Sequence, residues 1–239
     1  MFVSLKKGEN LSKNQKKSVI KSAQGVHVGK FSCAPTAKTE EQKQYLRLIH
    51  ENQITFSYGP PGSGKTFIAT SYGLNEVLRG KYDRLIITRP CVEAYGESLG
   101  YLPGTSKEKI LPYILPILNI MKQKVDGSYI DNLIKDEIIQ IIPFAFLRGW
   151  TFDRSFVIAD EVQNTVQQQV RLLLTRIGEN SKIVCTGDIN QSDLGAENGL
   201  TDAIDRLNGV EGIGIMKLTE DSIVRNPIIK EIERRYSSK

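Results

Sequence analysis

Eight consecutive residues, Gly59, Pro60, Pro61, Gly62, Ser63, Gly64, Lys65 and Thr66, have the types and spacing that hold phosphate. A glycine, four residues, and then Gly-Lys-Thr form a loop whose backbone N–H groups cradle phosphate oxygens. Gly62 and Gly64 let those groups turn inward, and a helix opening at the same point adds the positive end of its dipole. Lys65 is then suited to neutralise the β and γ phosphates of a nucleoside triphosphate, and the Thr66 hydroxyl to complete a Mg²⁺ shell. The flanks agree with this reading. Ile54, Phe56 and Tyr58 precede the loop as a strand would, and Phe67, Ile68, Ala69 and Tyr72 follow with helical spacing. The expected nucleotide contacts are therefore residues 59–66 together with Phe67.

Such a loop needs a carboxylate for Mg²⁺ and a group that activates water, both at the carboxyl end of a neighbouring strand. Phe156-Val157-Ile158-Ala159-Asp160-Glu161 supplies them. Asp160 is expected to orient the metal, directly or through water, and Glu161 to polarise the attacking water. Two acids closing an apolar strand also suit a helix amino cap. A further apolar run, Lys182–Thr186, leads into Gly187, Asp188, Ile189, Asn190 and Gln191. An amide just past a strand end can bond the γ-phosphate or the attacking water, which makes Gln191 the expected sensor. Asp188 either shapes the turn or supports the metal shell.

The elements that must position these groups alternate along the chain. Strands are expected over 54–58, 84–88, 138–142, 155–160, 182–186 and 214–218, and helices over 39–51, 65–79, 107–125, 167–177, 200–207 and 226–236. Alternation of this kind builds a three-layer α/β fold on a mainly parallel sheet. Pro112 and Pro116 are expected to kink or shorten the third helix, because each removes a backbone donor. The length of 239 residues allows one sizeable core, read as an ATPase domain over 35–239 behind an amino-terminal arm over 1–34. Residues 1–30 carry seven lysines against Glu9 alone, so this arm accounts for the net charge of +5. It could hold a polyanion without sequence preference, or simply be solvated. Apolar runs are too short for a membrane helix, and a cytoplasmic location is expected. Cys33, Cys91 and Cys185 are too scattered for a disulfide framework or a metal pattern. His27 and His50 stand away from the motif ends, and no further carboxylate set suggests a nuclease.

Several segments together resemble one family. Asp160-Glu161-Val162-Gln163 is similar to the DEAQ form of helicase motif II, and Thr186-Gly187-Asp188 with Gln191 resembles motif III of superfamily 1 helicases. The match to PhoH-like proteins, the phosphate-starvation-inducible ATPases, rests on further segments. These are Thr88-Arg89-Pro90 with Glu93, Leu99 to Gly104, Arg148-Gly149 with Thr151, Gln163-Asn164-Thr165, Leu174 to Gly178, and Val224-Arg225 with Pro227. The resemblance covers roughly residues 35–235. It implies a single RecA-like core that hydrolyses ATP, with RNA-directed roles proposed for the family. Gln42 matches the glutamine that reads adenine in superfamily 1 enzymes, which implies ATP as the nucleotide. Trp150 stands where a basic residue is common.

The related helicases place ATP between two such cores, the second supplying arginines, whereas this sequence carries one phosphate loop and one acidic pair. The resemblance therefore implies a homo-oligomer, most naturally a hexameric ring, with an arginine reaching the γ-phosphate from the adjacent subunit. Arg225 is the first candidate, followed by Arg176 and Arg148. Arg89 and Arg148, with the lysine arm, are expected to offer a path for single-stranded RNA or DNA, with Tyr95, Tyr101 or Trp150 available for base stacking. Two functions stay open: an ATP-driven motor or remodeller on nucleic acid, and a nucleotide-controlled oligomeric module with slow hydrolysis. A small-molecule kinase fits less well, since Glu161 beside the metal aspartate suits water better than an acceptor alcohol.

Overall fold

Short runs rich in β-branched residues, such as Leu85-Ile86-Ile87 and Phe156-Val157-Ile158, can be fully apolar only if a sheet is covered on both faces. The computed structural model, which describes residues 33–90, 106–224 and 227–237, has that arrangement. The strands are β1 (Ile54–Tyr58), β2 (Arg84–Thr88), β3 (Ile139–Ile141), β4 (Ser155–Ala159), β5 (Lys182–Gly187) and β6 (Ile213–Lys217). They form one parallel sheet in the order β3-β2-β4-β5-β1-β6. Every residue of β4 and β5 is buried.

The helices are α1 (Glu40–Glu51), α2 (Lys65–Leu78), α3 (Ser106–Lys124), α4 (Gly127–Lys135), α5 (Gln167–Leu174), α6 (Gly199–Leu207) and α7 (Pro227–Ser237). One core joins Tyr45, Ile68, Leu74, Ile117 and Leu133, from α1 to α4, to Ile158 and Val184 of the sheet. The other joins Val170, Leu173, Leu200 and Ala203, from α5 and α6, to Phe56 and Val157. Three layers result, the single α/β core that the alternation implied.

Three differences from expectation have local causes. Helix α3 is not shortened by its prolines: all 19 residues stay helical through Pro112 and Pro116, with Ile114, Ile117 and Met121 buried along one face. Helix α4 was not anticipated. The Asp126 side chain caps it by accepting from the Ser128 N–H at 2.8 Å, and Ile130 and Leu133 bury its apolar side. Helix α5 ends at Leu174 rather than near 177, because the chain beyond it turns to bridge Ile177 to Phe152, with the Gly178 N–H donating to the Phe152 carbonyl at 2.9 Å.

The end of the sheet opposite the phosphate loop is held by Lys182, which is 6% exposed. Its amine donates to the carbonyls of Ile49, His50 and Asn52 at the carboxyl end of α1. Helix carboxyl ends leave such carbonyls without intrahelical donors. Lys182→Met is expected to lower unfolding stability by about 2 kcal/mol, since the buried Ile49 carbonyl and the part-buried carbonyls of His50 and Asn52 lose their partner. Urea denaturation measures the loss. Among the described residues no helix is long and apolar enough to cross a membrane.

Candidate nucleotide site

The sheet order decides where the two motifs meet. β5 lies between β1, which feeds the phosphate loop, and β4, which ends at the acidic pair. One intervening strand separates them by roughly 10 Å of sheet. The carboxyl ends of all three open on one cleft of about 610 Å³, lined by Lys65, Thr66, Asp160, Glu161, Asp188 and Gln191, among others. That volume suits a nucleotide-sized ligand.

The loop is built for close backbone approach. Gly62 and Gly64 have φ of 81° and 94°, a region costly for side chains, so the loop can curl before α2 begins. Gly59 sits on the floor, where a Cβ would lie 2.1 Å from the Leu218 carbonyl oxygen. The Ser63 hydroxyl donates to the Pro60 carbonyl at 2.8 Å and fixes the curl from within. The Lys65 amine folds back over the loop, donating to the carbonyls of Gly59 at 2.6 Å and Pro60 at 2.8 Å. Pro61 and Phe67 also line the cleft.

Asp160 is 4% exposed and lies where three elements converge. Its Oδ1 accepts from the Thr66 hydroxyl at 2.8 Å and from the Thr186 hydroxyl at 2.5 Å. The phosphate loop, β4 and β5 are thus joined on one carboxylate oxygen. Glu161 follows in the left-handed region, with φ of 57°. Non-glycine residues pay about 1–2 kcal/mol to hold that conformation, and such strain concentrates at functional sites. Neither acid caps a helix. Glu161 opens the single turn Val162–Asn164 with no side-chain cap bond, which removes the capping alternative.

Gln163, a residue that sequence reasoning assigned no role, connects the acid to the turn at Asp188. It is fully buried; its Nε2 donates to Glu161 Oε2 at 2.5 Å, and its Oε1 accepts from the Asp188 N–H at 3.0 Å. A Cβ on Gly187 would lie 2.6 Å from that Oε1, so glycine is what admits the glutamine. A signal was present in the sequence: a polar amide directly after the acidic pair and Val162, followed by Asn-Thr. Asp188 shapes the turn, its Oδ1 accepting from the Asn190 N–H at 3.0 Å. Burial pushes the Asp188 carboxyl upward from its ordinary range, opposed by the charge of Lys65. Gln191 ends that turn, exposed and facing the cleft.

Gln42 also lines the cleft, and both ends of its amide bond the backbone. Nε2 donates to the carbonyls of Ser63 at 2.9 Å and Ser222 at 3.2 Å, while Oε1 accepts from the Lys38 N–H at 2.8 Å. It therefore braces the phosphate loop against the turn after β6. Arg89, expected along a nucleic-acid path, is instead turned into the cleft, 3.5 Å from Asp160 and 3.7 Å from Glu161. The cause is register: Thr88 pairs with Ala159, so the residue after β2 emerges beside the acidic pair. Arg148 is exposed in the turn beyond Phe146, and it does not line the cleft. Arg176 is half-buried against the Trp150 carbonyl. Trp150 itself is half-buried and packs on Phe152, with ring centroids 6.4 Å apart. Arg225, Tyr95 and Tyr101 lie outside the described residues.

Comparison with known proteins agrees with these motifs. The family described as PhoH-like protein matches residues 35–237. A PhoH-like protein of Bacillus subtilis is 39% identical over 201 residues, covering 83% of this chain and 63% of the relative. One from Mycobacterium tuberculosis is 41% identical over 202 residues, covering 84% and 57%, and Protein PhoH of Escherichia coli K12 is 37% identical over 205 residues, covering 84% and 58%. The chain thus spans about six-tenths of the length of these curated relatives. Among solved structures, the large terminase of a thermophilic bacteriophage is similar with a TM-score of 0.47 at 11% identity, covering 82% of this chain and 50% of that one. The N-terminal domain of the bacteriophage phi29 DNA packaging ATPase gives 0.44 at 15% identity, covering 80% and 100%. With the family matched across almost the whole described core, and with its phosphate loop and acidic pair meeting in one cleft, this chain belongs to the PhoH-like protein family.

Proposed function

We propose that this chain hydrolyses ATP to ADP and phosphate in the cleft between the phosphate loop and the acidic pair. The observation that carries the reading is the convergence of the Thr66 and Thr186 hydroxyls on Asp160, which couples loop and acid in one polar cluster. The donor set fits Mg²⁺, since a hydroxyl and a carboxylate are hard oxygen ligands and leave further positions for phosphate and water. Thr66 and Asp160 would hold the ion, which when bound neutralises charge on the phosphates.

The chain's own groups do the rest. Lys65 leaves its loop carbonyls for the β and γ phosphates. Glu161, oriented by Gln163, accepts the proton of the attacking water. Gln191 contacts the γ-phosphate from the sensor turn, and Gln42 stands at the base end, where reading adenine requires it to exchange backbone partners. Residues 59–64 and Phe67 wrap the phosphates and flank the nucleotide.

Hydrolysis is proposed to work in a ring, hexameric by family analogy, in which Arg225 of one subunit reaches the next site. Exposed apolar side chains at Leu111, Leu115, Phe146, Ile228 and Ile232 support contacts between copies. Coupling to single-stranded RNA or other nucleic acid rests on the lysine-rich arm and exposed Arg148.

The test measures phosphate release by the full chain with Mg²⁺ and ATP across protein concentrations, with and without single-stranded RNA or DNA. Specific activity should rise with assembly and increase several-fold with a nucleic-acid strand. Turnover indifferent to both strands would favour the nucleotide-controlled module over the motor. Charge reversal at Arg225, Arg225→Glu, should reduce turnover by at least about a hundredfold. Unchanged turnover and assembly would remove it from the site.

A further inference from the structure

Arg89 is positioned by the sheet rather than by a loop. It follows the last residue of β2, and the Asp160 N–H donates to the Thr88 carbonyl at 3.0 Å, so the backbone at Arg89 is tied to the backbone at the acidic pair. Its side chain is 21% exposed and enters the same cleft as Lys65 and Gln191. Lys65 comes from the phosphate loop and Arg89 from the acid strand's neighbour, so two cations approach the cleft from different elements.

The distances decide what kind of contact Arg89 makes. A locked arginine–carboxylate fork has N–O separations of about 2.7–2.9 Å. Here Nη1 stands 3.5 Å from Asp160 Oδ2, and Nη2 stands 3.7 Å from Glu161 Oε1. The two charge contacts are loose, and neither is a hydrogen bond. The short contact goes elsewhere, from Nη1 to the Tyr113 carbonyl of α3 at 3.0 Å. Helix α3 lines the cleft further along, through Pro116, Ile120 and Gln123. A guanidinium has five N–H donors, so one anchor on α3 leaves several for an anion in the cleft.

We propose that Arg89 is a catalytic arginine supplied by the chain itself: it releases its loose hold on the acidic pair to contact the transferring phosphoryl group, while its contact with the Tyr113 carbonyl keeps it at the cleft. The inference rests on the ATP-hydrolysis reading above. In the step itself the bond from the γ-phosphorus to the bridging oxygen breaks, and its electron pair leaves on ADP. The water oxygen bonds to phosphorus and its proton passes to Glu161. Arg89 forms no covalent bond and gives up no proton; it stabilises charge that spreads over the phosphoryl oxygens. The site then holds a cation on the acid side before a second subunit contributes one.

The test uses the full chain as native, Arg89→Gln and Arg89→Lys, and measures turnover together with the affinity for ADP with and without aluminium fluoride, which mimics the transferring phosphoryl group. Arg89→Gln should lose about a hundredfold in kcat, the range for removal of one charge-stabilising donor, while ADP affinity stays within about threefold. It should also lose the tightening of ADP that aluminium fluoride produces in the native chain. Arg89→Lys should recover part of both, since lysine keeps the charge without the fork. Native-like kcat in Arg89→Gln overturns the proposal, and so does lost turnover with native aluminium fluoride tightening. Failure of Arg89→Gln to bind ADP assigns the residue to structure and equally overturns it. A native chain that does not turn over ATP refutes the underlying reading, a result distinct from a native chain that turns over and an Arg89→Gln variant that matches it.

Discussion

Glu161→Gln is expected to bind ATP within about threefold of the native affinity and to release phosphate roughly a thousandfold more slowly, within the range for loss of a positioned general base. The two side chains have nearly the same shape, so the left-handed backbone at φ of 57° and the buried neighbour Gln163 are kept. What disappears is the ability to take a proton from water. The contact from Gln163 Nε2 to Glu161 Oε2 at 2.5 Å can persist to the new amide oxygen, so folding should change little. Binding measured with labelled ATP and turnover measured on the same preparation separate the two effects. A variant that hydrolyses ATP at the native rate would remove Glu161 from the chemistry.

Lys65→Ala is expected to act one step earlier, on binding. The amine donates to the Gly59 and Pro60 carbonyls at 2.6 and 2.8 Å, which hold it over the phosphate loop. Hydrogen bonds to charged groups are worth about 1.5–3 kcal/mol, so two such contacts to phosphate correspond to roughly a hundredfold or more in affinity. Titration calorimetry with ATP should show the loss. ADP should lose less than ATP, because one of the two phosphates assigned to Lys65 in the proposed mechanism is absent.

The legible parts of this site were those fixed by local sequence. Lys65 and Thr66 sit at the opening of a helix because Gly64 can adopt a positive φ, and the run of residues itself announces that geometry. Asp160 and Glu161 end a strand whose residues Phe156 to Ala159 are all apolar. The strand order was not legible in the same way. That β5 separates β1 from β4 depends on crossovers between segments far apart in the chain, and only this order brings Thr186 to the same oxygen as Thr66.

Side-chain direction was harder still. Arg89 follows a strand in a way that suits an outward contact, and only the pairing of Thr88 with Ala159 turns it toward the acids. Gln163 looked like part of a motif rather than a bridge, since its partners Glu161 and Asp188 stand on either side of a fold contact. Helix α4 could have been found, because Asp126 caps and Ile130, Leu133 and Ile134 recur at helical spacing. Pro112 and Pro116 argue for a kinked or shorter α3; its length is kept, with Ile114, Ile117 and Met121 buried along one face.

The central claim, that the cleft transfers the γ-phosphoryl group of ATP to water, is tested most directly by running the reaction in water enriched in heavy oxygen and weighing the products. Heavy oxygen is expected in the released phosphate and none in ADP, with the labelled phosphate lost in Glu161→Gln. Heavy oxygen in ADP, or a γ-phosphoryl group found on an acceptor other than water, would contradict the claim.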